Sequence, residues 1–99
     1  MPNEAAVLRK VMNILQNRKD CYVVRMDKAP TGTPDVIACV GGRFVGIEVK
    51  DDVNGAYTLT PAQKIRAERI MRAGGEFLVV DKNNVQYFDD TLTHLKGTI

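Results

Sequence analysis

Three side chains stand out for their types and spacing: Asp35, Glu48 and Lys50. They lie at the outer ends of two apolar stretches, 35–40 and 43–50, joined by Gly41-Gly42. A two-residue diglycine connection suits a type I′ turn, whose central residues both need positive φ. Such a turn sets a register in which Val40 faces Arg43, Cys39 faces Phe44, Ile37 faces Gly46 and Asp35 faces Glu48. Directly opposed residues hold their Cβ atoms about 4.5–5.5 Å apart on one face. Lys50 follows Glu48 at the strand period and projects from that face too. Opposed carboxylates repel unless a cation lies between them. A hard ion such as Mg²⁺ takes oxygen ligands, typically one or two carboxylates plus waters. A lysine beside it can hold a phosphate oxygen or the attacking water as charge builds. Together these groups are suited to metal-assisted phosphodiester hydrolysis.

Taken singly, Pro34-Asp35 reads as turn chemistry at a strand start and Glu-x-Lys as solvated strand positions. Their joint placement by the diglycine register gives them weight. Two further residues have double readings. Glu4 shares a helical face with Val7, Leu8 and Val11, so it either reaches toward the acidic pair or complements the helix dipole from solvent. Gln63 closes a capping box with Thr60, and it also begins a helix that follows soon after Lys50. Asp51 and Asp52 open a polar loop and read as solvated turn acids.

The elements that must position these groups follow from periodicity. Apolar residues at three- and four-residue spacing predict a helix over 3–18, with Asn3 as its cap. A strand is expected at 21–26 and a loop at 27–34, broken by Pro30, Gly32 and Pro34. The hairpin follows, then a polar loop over 51–59. A second helix starts at the Thr60 cap with Pro61 at its first position and stops at Gly74-Gly75. A fully apolar strand is expected at 77–80, a further strand at 85–88 and a last helical turn at 91–96. The order αβββαββ is an α/β fold with a mixed sheet flanked by helices.

The segments Gly32-Thr33-Pro34-Asp35, Ile47-Glu48-Val49-Lys50 and Leu59-Thr60-Pro61-Ala62-Gln63, in that order, closely resemble the VRR-NUC module. This is a branch of the PD-(D/E)xK nuclease superfamily, known as a stand-alone viral protein and as a domain of replication and repair proteins. The resemblance runs from residue 4 to about residue 80. It implies a restriction-endonuclease-like core and metal binding by Asp35 and Glu48 with help from the Val49 carbonyl. It also implies a water-orienting Lys50 and a site completed by Glu4 and Gln63. The implied activity is Mg²⁺- or Mn²⁺-dependent hydrolysis of DNA. Small stand-alone members resemble homodimeric nucleases that cut branched DNA such as four-way (Holliday) junctions. Thr60 stands where many members carry serine, which keeps the capping hydroxyl.

For holding DNA, Arg66, Arg69 and Arg72 recur every three residues along the second helix, whose other side carries Gln63, Ala67, Ile70 and Met71 for the sheet. Such a row either clamps phosphates or solubilises an exposed helix. Lys28, Arg25 and Arg43 extend a basic rim, and no aromatic series interleaves the basic residues to suggest stacking on single strands. His94 has no catalytic reading. Ile65 and the apolar segment 85–88 are candidates to meet a second copy of the chain.

Composition bounds the rest. Ninety-nine residues make one domain, 1–99, and 44% hydrophobic with 26% charged residues is ordinary globular chemistry. No apolar run approaches the roughly 20 residues of a membrane span. The N-terminus does not have the pattern of a signal peptide, and Cys21 and Cys39 read as small buried hydrophobes rather than a disulfide. The expected location is cytoplasmic, that of the host if the chain is viral. The net charge of +2 permits a nucleic-acid partner without demanding one. The rival from another class is a catalytically silent nucleic-acid-binding module with the nuclease fold.

Overall fold

The computed structural model describes residues 2–50 and 59–97. The acids Asp51 and Asp52 lie outside the described residues. The chain runs α1 (Pro2–Asn17), β1 (Cys21–Arg25), β2 (Val36–Val40), β3 (Arg43–Val49), α2 (Pro61–Arg72), β4 (Glu76–Val80), a 3₁₀ turn (Val85–Tyr87) and α3 (Phe88–Gly97). The strands form one sheet in the order β1-β2-β3-β4. The first three are antiparallel, and β4 joins β3 in parallel after the α2 crossover. Among the described residues no helix is long and apolar enough to cross a membrane.

The hairpin takes the predicted register. Gly41 (φ 57°) and Gly42 (φ 88°) make the turn, and Val40 pairs with Arg43, Cys39 with Phe44 and Ile37 with Gly46. One sheet face carries Val36, Ala38, Val40, Val45, Ile47 and Val49, all buried. Against it α1 sets Val7, Val11 and Leu15, a stripe at four-residue spacing. The helix begins at Pro2, so Asn3 lies inside the first turn instead of capping it. Proline suits a first helical position, where the missing N–H would be unbonded anyway.

The strand expected at 85–88 is helical instead. The Asp81 carboxylate accepts the N–H groups of Asn83 (2.8 Å) and Asn84 (3.0 Å). The Asn84 side chain accepts the Asp81 N–H and donates to the Val79 carbonyl. These bonds wind the chain, and Val85 N–H then reaches the Asp81 carbonyl at 3.0 Å. Val85, Phe88 and Leu92 consequently fall on one helical stripe and are buried with the α1 residues. Val85 and Phe88 are therefore covered, while Tyr87 between them is 60% exposed. Arg18 ties the two helices together, bonding both Asp20 oxygens (3.0 and 3.1 Å) and Asp89 of α3 (2.5 Å).

The opposite sheet face carries Tyr22, Val24, Ile37, Cys39, Phe44, Gly46 and Glu48 by strand alternation. Here α2 packs against β4 and covers only part of the sheet. A Cβ on Gly46 would sit 2.9 Å from Ile70 of α2 and 3.0 Å from Pro34, so this glycine lets the helix and the loop before β2 close down together. Cys39, expected to be buried, is exposed, because α2 does not extend over β2 at that point.

Candidate functional site

The site forms where β3 ends, under the first turn of α2. Ladder pairing stops at Val36–Ile47, leaving Asp35 and Glu48 at the next register position. The Asp35 carbonyl accepts the Met26 N–H (2.9 Å), and its carboxylate Oδ2 accepts the Val49 N–H (2.8 Å). Its approach is held by Gly32, which takes φ +90° and lies so close to Ala62 that a Cβ would meet that backbone at 2.7 Å. Loop and helix are thereby fixed to each other.

Glu48 is only 5% exposed. Its Oε2 accepts the Gln63 Nε2 (3.0 Å) and stands 3.7 Å from Lys50 Nζ. Its Oε1 is buried without a hydrogen-bond partner. Burial first, then the charge of Asp35, push the Glu48 carboxyl up to about 7, with Lys50 pulling the other way. The charge of Glu4 adds to the rise. The two acids are therefore close together, as the register implied.

Gln63 serves both of its readings. Its Oε1 accepts the Thr60 N–H (2.9 Å) while its own N–H donates to Thr60 Oγ1 (3.1 Å), completing the capping box. The same Oε1 accepts Lys50 Nζ (3.2 Å). One amide thus seats the helix, positions the lysine and donates to the buried acid.

The remaining candidates are placed less closely. Glu4 is exposed in the first turn of α1, within electrostatic reach of Glu48. Val49 is buried and gives its N–H to Asp35. Lys28 is exposed on the loop before β2. Arg66 and Arg69 line a groove of about 480 Å³ between α2 and the sheet, together with Met26, Pro34, Ile37 and Phe44. Arg72 is exposed and outside that groove, since a three-residue step drifts around a helix of 3.6 residues per turn. Met71, expected on the sheet, is 52% exposed. The apolar groove floor was not anticipated, although the hairpin register already put Ile37, Cys39 and Phe44 on one face.

Among the described residues no group of three or more His, Cys, Asp or Glu could hold a metal ion. The donor set is two carboxylates, and it fits a hard divalent cation: an acid oxygen sealed from water without a partner, a second acid beside it and a carboxyl held above its usual range.

The class these features define is a mixed α/β core with an acid, acid and lysine cluster at the end of its central hairpin. No family model matches the sequence, and no curated protein does. The fold is similar to that of solved structures, among them two that carry a VRR_NUC domain. One, a VRR_NUC domain, superposes with a TM-score of 0.70 at 22% identity over 88% of this chain and 94% of its own. The other, a VRR_NUC domain protein, gives 0.72 at 24% identity over 93% of this chain and 86% of its own. The chain has the restriction-endonuclease-like fold of these domains, as the motifs led one to expect.

Proposed function

We propose that the chain is a Mg²⁺-dependent DNA endonuclease, selective for branched structures such as four-way junctions and acting as a homodimer. The observation that carries this reading is the Glu48 carboxylate, buried with an orphaned oxygen beside Asp35 and bonded through Gln63 to Lys50. Asp35 and Glu48 would hold the ion, Mn²⁺ substituting, with the Val49 carbonyl as a further donor and Glu4 steadying the water around it. The ion supplies a lowered pKa for attacking water and polarisation of the scissile phosphate. Lys50, held by Gln63, places its ammonium where negative charge develops. Gln63 fixes the Glu48 carboxylate, so the donor set is already in place before substrate arrives. Exposed Lys28, Arg69 and Arg72 and half-buried Arg66 would contact phosphates, with salt-sensitive, sequence-independent affinity. The free thiols of Cys21 and Cys39 suit a reducing, cytoplasmic setting.

The test is a panel of labelled duplex, flap, single-stranded and four-way DNAs, incubated with and without Mg²⁺. Cleavage of the branched substrates is expected only with the ion, and Glu48→Ala or Lys50→Ala should abolish it while the protein stays folded. Either variant cutting at the wild-type rate removes the assignment. Calorimetric titration with Mg²⁺ or Mn²⁺ that shows no specific uptake would favour the silent binding module.

A further inference from the structure

The groove beside α2 has an unusual combination of walls. Its floor includes Phe44, 45% exposed, and beyond the groove on the same open sheet face stands Tyr22, 74% exposed. Cys39 pairs with both residues, so the two rings stand in one row across the sheet, about 10 Å apart at the ordinary strand spacing. Gly75 makes this possible, because a Cβ there would meet the Phe44 ring at 3.2 Å and Ile70 at 3.0 Å. The opposite wall presents Arg66 and Arg69, and among the described residues no acidic side chain lines the groove. Neither arginine forms an ion pair with a described residue.

The groove also leads to the acidic site. Thr33 and Pro34, which line one end, immediately precede Asp35. Phe44 and Glu48 point from the same face of β3, four residues or about 13 Å apart.

We propose that this groove and the open sheet face beside it hold an unpaired stretch of a DNA strand, with bases against Phe44 and Tyr22 and phosphates against Arg66 and Arg69, and lead that strand to Asp35 and Glu48. The inference rests on the nuclease reading for its direction, but not for the binding itself. Aromatic faces accept any base, and a flanking row of cations tracks the backbone. A duplex offers no free base face and gains nothing from the rings. A second copy of the chain is the poorer occupant. A two-fold contact sets the same patch on both sides, so the four copies of Arg66 and Arg69 would share one interface with no carboxylate among the described lining residues to offset them.

The experiment is fluorescence anisotropy with a labelled single-stranded oligonucleotide and a blunt duplex of the same sequence, in EDTA so that nothing is cut. Phe44→Ala is expected to weaken single-strand binding about tenfold and duplex binding twofold or less. Because Phe44 touches Ile70 and Gly75, Tyr22→Ala is the companion variant; its exposed ring carries no core packing and should give a loss of the same kind. Joint replacement of Arg66 and Arg69 by Ala should weaken binding of both probes and flatten the salt dependence. Equal losses on duplex and single strand for the two aromatic variants, or no loss at all, overturn the proposal. So does light scattering that shows either aromatic variant turning a dimer into monomers. A wild-type protein that binds as described yet cuts no DNA with Mg²⁺ would defeat the nuclease reading alone.

Discussion

Glu48 is the residue at which folding and function oppose each other. A carboxyl held near 7, against an ordinary value of 4.5, binds a proton in the folded chain that the unfolded chain has already released. Its contribution to stability is therefore full below about pH 4.5 and is lost as pH rises through 7. The swing is about 3 kcal/mol at most, at 1.36 kcal/mol per unit. The metal-free protein should lose melting temperature between pH 5 and pH 8, and Glu48→Gln should flatten that slope and melt higher at pH 8. Mg²⁺ should raise the melting temperature more at pH 8 than at pH 6, because the cation competes with the proton for the same acid. Thermal scans across this range decide the matter. A slope unchanged in Glu48→Gln would show that this carboxyl is not the group that titrates. Gln63 shows a different economy, with one amide oxygen shared by a helix cap and a lysine. The capping-box pattern made its local role plain, whereas its contact with Glu48 depends on where α2 lands.

The elements differ in how openly the sequence declared them. The diglycine turn is legible because only one short connection satisfies two adjacent positive φ values and the flanking strand patterns together. The Asp35–Glu48 proximity follows from that register, so the acidic pair was readable in advance. The last strand was not. Val85 to Phe88 is too short to separate a period of two from a period of 3.6, and the helical stripe emerges only when Leu92 and Leu95 are included. The Asp81–Asn84 turn that sets the winding rests on side-chain bonds that no hydrophobic pattern records. Phe88 tests the outcome. It is 2% exposed and packs with the α1 stripe, so Phe88→Ala should cost about 3–5 kcal/mol, measurable by chemical denaturation. Tyr87, 60% exposed on the same turn, should tolerate alanine with a change within about 0.5 kcal/mol. Similar costs at both positions would contradict the helical arrangement.

At the scale of the whole molecule, a chain with one acidic site would have to make two cuts in the proposed junction substrate. A four-way junction has two-fold symmetry, and a two-fold dimer places a site on each of two strands. The surface available for such a contact is narrower than the sequence suggested. The segment from Val85 to Phe88 is committed to the core at both ends, and a two-fold contact through the groove would gather the arginines of both copies in one interface. Ile65 remains, 57% exposed on the outer side of α2. Burying an exposed isoleucine on both partners is favourable, whereas a charge at the same place leaves two like charges facing each other. Wild-type protein should therefore scatter light with twice the 11.0 kDa chain mass, and Ile65→Asp should return it to monomers without lowering the melting temperature by more than a few degrees. On a four-way junction the monomeric variant should still nick, but the paired incisions should become independent and the second cut should lag the first. A wild-type monomer at working concentrations, or paired cutting retained by a monomeric Ile65→Asp, would remove the dimer from the mechanism and leave the single site to act alone.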